Sequence, residues 1–127
     1  MAPAWCRGPT QEHDAGLATA MFVAKTKLRH IAIPGSVDVW SLPHWSCPRV
    51  ARAAAEYLPT APPGITFIHF AEPDDSGHRF GWMRPRYLQA IGRSDRCLAT
   101  VMAALEGRPD HDRGLVGDLR ADGGRRP

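Results

Sequence analysis

The chain has 127 residues, a formal net charge of +3 and 43% hydrophobic residues, enough for one modest domain that buries roughly two-thirds of the surface its unfolded form exposes. Arginines crowd toward the C-terminus and no basic stripe alternates with aromatics, which argues against a polynucleotide groove. No run of about 18 apolar residues exists to span a bilayer, and residues 1–16 lack the basic-then-apolar layout of a signal peptide. Cys6, Cys47 and Cys97 are odd in number and far apart, so they read as small apolar residues, with neither a disulfide framework nor a metal knuckle proposed.

In chain order, "GLATAMFVAKTKL" passes from small, helix-tolerant residues into the apolar run Met21 to Ala24, which predicts the end of a helix followed by a buried strand. From Pro48 to Leu58, the residues Val50, Ala54, Tyr57 and Leu58 fall at i, i+4, i+7 and i+8 and predict one face of a helix, which "PTAPPG" stops. Ile65 to Phe70 predicts a strand buried on both faces, the kind that parallel sheets use. The polar stretch "AEPDDSGHRFGW" then reads as a loop at the mouth of that strand. Pro85 opens the longest helix, in which Leu88, Ile91, Asp95, Leu98, Met102 and Leu105 keep a 3-4 spacing toward the core and Gly107 is the stop. Beyond it, "GRPDHDRGLVGDLRADGGRRP" is rich in glycine and poor in apolar residues, which predicts a poorly ordered or disrupted tail over 107–127. The alternation predicts an α/β fold, a mostly parallel sheet flanked by helices, with the domain over residues 10–106 and no internal repeat.

In open α/β sheets, ligands sit outside the carboxyl ends of the strands, which is where the stretch after residue 70 lies. Carboxylate oxygen and imidazole nitrogen suit zinc or a similar divalent ion, and the spacing of Asp74 and His78 lets both reach one centre. Gly77 is expected to let the backbone turn between them. On spacing alone the signal is weak, and a solvated acidic turn is the commoner reading of such a stretch.

"FIHFAEPDDSGHRFGWMRPRYLQAIGRSDRCLATVMAALE" resembles the segment of type I phosphodiesterases and nucleotide pyrophosphatases, of the alkaline phosphatase superfamily, that follows a core strand with a P-D-x-x-G-H motif. "GLATAMFVAKTKLRHIAIPGSVDVW" is similar to the part upstream. The resemblance implies an alkaline-phosphatase-like α/β/α sandwich with two divalent metal ions, expected to be zinc, in which Asp74 and His78 bind one ion. It implies a small phosphate-ester substrate and a covalent phosphoryl intermediate on a threonine or serine. That nucleophile is expected upstream of the matched region, so none of the chain's threonines is assigned to it. "LRADGGRRP" resembles the family's Asp-His-Gly-Gly element without its histidine, making Asp122 a candidate ligand of the second ion. The chain alone is expected to be an inactive fragment of such an enzyme.

"AKTKL" resembles a sulfatase element whose basic residues contact the substrate anion, which makes Lys25 and Lys27 candidate substrate contacts beside the blander reading as solvated lysines. A sulfatase-like ester hydrolase is the alternative activity, and a non-catalytic metal-binding module a third reading. The Asp74 and His78 pair favours phosphoester chemistry over the sulfatase alternative. Relatives commonly read Ser-Pro-Glu where this chain has Arg84, Pro85 and Arg86. Asp95 occupies a position that carries Asp in the family without being a ligand, and its place on the apolar stripe predicts a structural role: a buried carboxylate accepting hydrogen bonds from a neighbouring loop.

Overall fold

The computed structural model describes residues 15–108; the tail beyond, with Asp122, lies outside them. Three strands, β1 (Ala18–Phe22), β2 (Val39–Ser41) and β3 (Gly64–Ile68), form a parallel sheet in the order β2-β1-β3. Of three α-helices, α1 (Cys47–Tyr57) lies between β2 and β3 in the chain, and α2 (Glu72–Phe80) and α3 (Pro85–Glu106) follow β3. Two short 3-10 segments, Thr26–Ile31 and Leu58–Thr60, complete the described elements. This is the expected α/β architecture of a parallel sheet with helices packed on it.

β1 begins at Ala18, so the small residues that read as a helix end are the first half of the central strand. Propensity loses here to pairing, because β1 bonds to a neighbour on each side. Close pairing also sets the identity of Gly64, whose backbone lies against Ala18 so tightly that a Cβ would overlap it. Register puts Ala20 opposite Thr66 and Phe22 opposite Ile68, which turns these four to one face, and Thr19, Met21, Ile65 and Phe67 to the other. The first face meets the helices: Ala20 and Phe22 are buried together with Cys47, Val50, Ala51 and Ala54 of α1 and Cys97 and Val101 of α3. Thr19 is buried at the other end of β1, its hydroxyl donating to Ser36 O at 2.9 Å and its N–H to Asp38 Oδ2 at 2.9 Å, which anchors the approach to β2.

Three further expectations change in the packing of these elements. β3 is an edge strand among those described and is not buried on both faces: Ile65 and Phe67 are 43% and 40% exposed. α3 begins at Pro85 and gives way at Gly107 as read, but it is rotated from the predicted phase. Its buried residues are Ala90, Cys97 and Val101, whereas Leu88, Ile91 and Leu98 are between 42% and 49% exposed and Asp95 is exposed beside them. The small side chains of Ala90 and Cys97 let α3 approach its neighbours closely, and the bulkier stripe is turned away from that contact. The buried, hydrogen-bonded role for Asp95 is therefore not what the fold gives it.

The third change is Cys47 and Cys97, which are joined as a disulfide with Cα atoms 6.0 Å apart, tying the first residue of α1 to the middle of α3. Their separation of 50 residues hid the pairing, which only the packing of the two helices creates. Arg108 closes the far end of the same interface by donating to the carbonyls of Leu58 and Ala61. No described helix is long and apolar enough to cross a membrane.

Candidate functional site

The stretch expected as a loop is the helix α2, and its sequence explains why. Pro73 lies in the first turn, where a missing N–H costs nothing; Glu72, Asp74 and Asp75 stand at the positive end of the helix dipole; His78 and Arg79 stand at the negative end. Gly81, at φ +90°, ends it. Asp74 and His78 are thus an i, i+4 pair on one helical face, not two residues of a turn. Their facing atoms, Asp74 Oδ1 and His78 Nε2, are 3.3 Å apart.

Gly77 serves a different purpose from the one the motif suggests. It is buried within the helix, and a Cβ there would clash with the indole ring of Trp82. The chain reverses through Gly81 and Met83, the latter at φ +61°, and lays Trp82 back over α2. Trp82 meets the His78 ring edge-on at 5.2 Å between centroids and the Tyr87 ring at 5.3 Å. The glycine of G-H and the tryptophan of G-W are therefore one packing unit, and the indole covers one side of the His78 imidazole.

Asp74 approaches the carboxyl ends of two adjacent parallel strands. Lys25, three residues beyond β1, donates from Nζ to Asp74 Oδ2 at 2.8 Å and lies 3.0 Å from Asp75 Oδ1. These hydrogen bonds, Asp74's first, raise the Lys25 ammonium above its ordinary 10.5, and the bond from Lys25 holds the Asp74 carboxyl below its ordinary 3.8. His69, just past β3, continues the ladder by donating its N–H to Phe22 O at 2.9 Å, and its Nδ1 is buried without a hydrogen-bond partner. Burial first, then the charges of Lys25 and Lys27, push its imidazole below 6.5. Lys27 itself is exposed.

On the opposite face of α2 the sequence reading missed Glu72. Its carboxylate is 6% exposed, accepting the Cys47 N–H on Oε1 at 3.0 Å and Arg93 Nε on Oε2 at 2.9 Å. The signal was there: Glu72, Ser76 and Gly77 share one face at helical spacing, but only if "EPDDSGHRF" is read as a helix. Between this face and the start of α1 opens a cleft of about 500 Å³ whose walls include Trp45, Asp75, His78, Arg79, Phe80 and Arg93, a size suited to a small molecule.

As a donor set, Asp74 Oδ1 and His78 Nε2 fit one divalent ion: their 3.3 Å separation matches the edge of a tetrahedron with bonds of about 2.0–2.1 Å, the zinc range. Among the described residues no group of three or more histidine, cysteine or carboxylate side chains is placed to hold a metal ion, so Asp95 and His69 do not complete a site with Asp74 and His78.

A model of the type I phosphodiesterase / nucleotide pyrophosphatase family matches residues 6–116, almost the whole chain. The chain belongs to that family. Comparison with curated proteins finds no match, and neither does comparison with solved structures. Membership carries hydrolase activity on phosphodiester or pyrophosphate bonds at the level of the family. The motif segment of this member lies wholly inside the matched region.

Proposed function

We propose that Asp74 and His78 are the two ligands this region contributes to one ion of a two-metal site, in an enzyme that hydrolyses phosphoric esters or nucleotide pyrophosphate bonds. The carrying observation is the 3.3 Å approach of Asp74 Oδ1 to His78 Nε2 at the carboxyl ends of β1 and β3, in a chain of a phosphodiesterase family. Divalent ions, expected to be zinc, supply charge neutralisation on the phosphoryl oxygens and a lowered pKa for the attacking group.

The chain's own residues do the rest of the local work. Trp82 restricts the His78 ring and presents Nε2 toward Asp74. Asp75 gives Lys25 a second carboxylate, so the ammonium stays at the strand ends when Asp74 turns to another cation, and there it can meet a substrate oxygen. The cleft walled by Trp45, Arg79 and Arg93 offers cationic and aromatic surface to the remainder of a small ester. In this reading the covalent phosphoryl intermediate forms on a hydroxyl outside the described residues.

The test is zinc titration of the purified chain by calorimetry, with Asp74→Asn and His78→Ala beside it. One ion is expected per folded molecule, and each substitution should abolish the binding. Hydrolysis of an aryl phosphodiester by the purified chain, measured alongside, is expected to stay at background, because in this reading no nucleophile stands among the described residues. Zinc binding that survives both substitutions removes the ligand assignment.

A further inference from the structure

We propose that Glu72 is a positioning residue that sets the rotation of α2, and through it the orientation of Asp74 and His78; the inference rests on the metal-ligand reading above. α2 is nine residues long, too short to hold its own orientation, so whatever grips it decides where its outer face points. Residues two apart on a helix project about 200° from each other, so Glu72 faces inward when Asp74 faces the strand ends, and Ser76 does the same relative to His78. The burial follows that geometry: Glu72 and Ser76 are buried, whereas Asp74 and His78 are exposed.

The grip is chemical as well as steric. Ser46 at the start of α1 makes no side-chain cap. Glu72 takes over that function from a different helix, its Oε1 accepting the Cys47 N–H at 3.0 Å, where the dipole of α1 favours negative charge. Its other oxygen accepts from Arg93 of α3 at 2.9 Å. One buried carboxylate thus joins α1, α2 and α3, and the disulfide from Cys47 to Cys97 fixes the spacing of the two helices on which it pulls. A buried carboxylate bonded on both oxygens has one low-energy placement, and breaking either bond leaves charge that must find another partner.

The experiment measures zinc affinity by calorimetry on the full chain for wild type, Glu72→Ala, Glu72→Gln and Arg93→Gln. Circular dichroism establishes the folded fraction to which each value is referred. Loss of a group that orients metal ligands costs about 10–100-fold in affinity, and that loss is expected for Glu72→Ala. Glu72→Gln keeps an oxygen for the Cys47 N–H and should fall between wild type and Glu72→Ala. Arg93→Gln changes a half-exposed side chain, so it is expected to fold even if Glu72→Ala does not, and it should weaken zinc binding at least 3-fold. The zinc-induced shift of the His78 Nε2 resonance should shrink in step with affinity, which loss of thermal stability alone does not produce. Zinc affinity within 2-fold of wild type in folded Glu72→Ala, or in Arg93→Gln where Glu72→Ala is unfolded, overturns the proposal and leaves the ligand assignment standing. Absence of zinc binding by wild type overturns both.

Discussion

His69 is a base held in its neutral form, and its effect on stability has a definite sign. Its imidazole lies below 6.5, because burial and then the Lys25 and Lys27 charges disfavour the cation. The unfolded chain therefore takes up the proton first, so this contribution is complete above pH 6.5 and is lost as pH falls through the lower folded value. Nuclear magnetic resonance titration should place the His69 midpoint below 6.5, and His69→Gln should flatten the loss of stability on the acid side; a midpoint at or above 6.5 contradicts the burial argument. Asp74 runs in the same direction for a different reason, since Lys25 holds its carboxyl below 3.8. Its contribution is present above 3.8 and disappears as pH falls through the folded value, so Lys25→Met should move the Asp74 carbon-13 midpoint upward. Gly77 gives the sharpest steric prediction. Because a Cβ there meets the Trp82 ring, Gly77→Ala should cost about 1–3 kcal/mol of unfolding free energy as an overpacked substitution. In a Trp82→Ala background most of that cost should vanish, and equal costs in both backgrounds would mean that the strain lies elsewhere.

At the scale of elements, α3 starts poorly. Arg84 is its N-cap, with no side-chain hydrogen bond, and no acidic residue stands in the first turn, where the dipole favours one. Arg84→Ser should supply the missing acceptor and stabilise the protein by roughly 0.5–2 kcal/mol; an unchanged melting temperature counts against the capping argument. α1 and the start and end of α3 were legible because Pro48, the prolines after Leu58, Pro85 and Gly107 punctuate strong apolar periods. α2 was not, because proline, paired aspartates and glycine are also the residues of turns. The ordering of charge along it, acidic first and basic last, was the overlooked sign. The phase of α3 was illegible for a related reason. Two faces of that helix are apolar, and the larger residues made the stronger pattern, but burial went to Ala90, Cys97 and Val101, the face small enough for close contact.

For the whole molecule, the disulfide is the largest single constraint on the unfolded chain. It spans 50 residues of sequence, and closing a loop of that size contributes about 2–4 kcal/mol to stability. Reduction, or Cys97→Ala, should lower the unfolding free energy by that amount in denaturant titration. A change under 0.5 kcal/mol would mean that helix packing alone sets the α1 to α3 spacing.

The sequence by itself determined the parallel α/β class, the family through P-D-x-x-G-H and its flanks, and the candidate pair Asp74 and His78. These are local properties: apolar periodicity, punctuation by proline and glycine, and a short motif. The tertiary structure decided what depends on residues far apart in the chain. It brought Cys47 to Cys97, set Lys25 against Asp74, turned Asp95 outward, and made Glu72 the meeting point of three helices. Each of these rests on how helices rotate and approach one another. That rotation follows from which side chains are small enough to be packed over, a property of two surfaces together that neither segment carries alone.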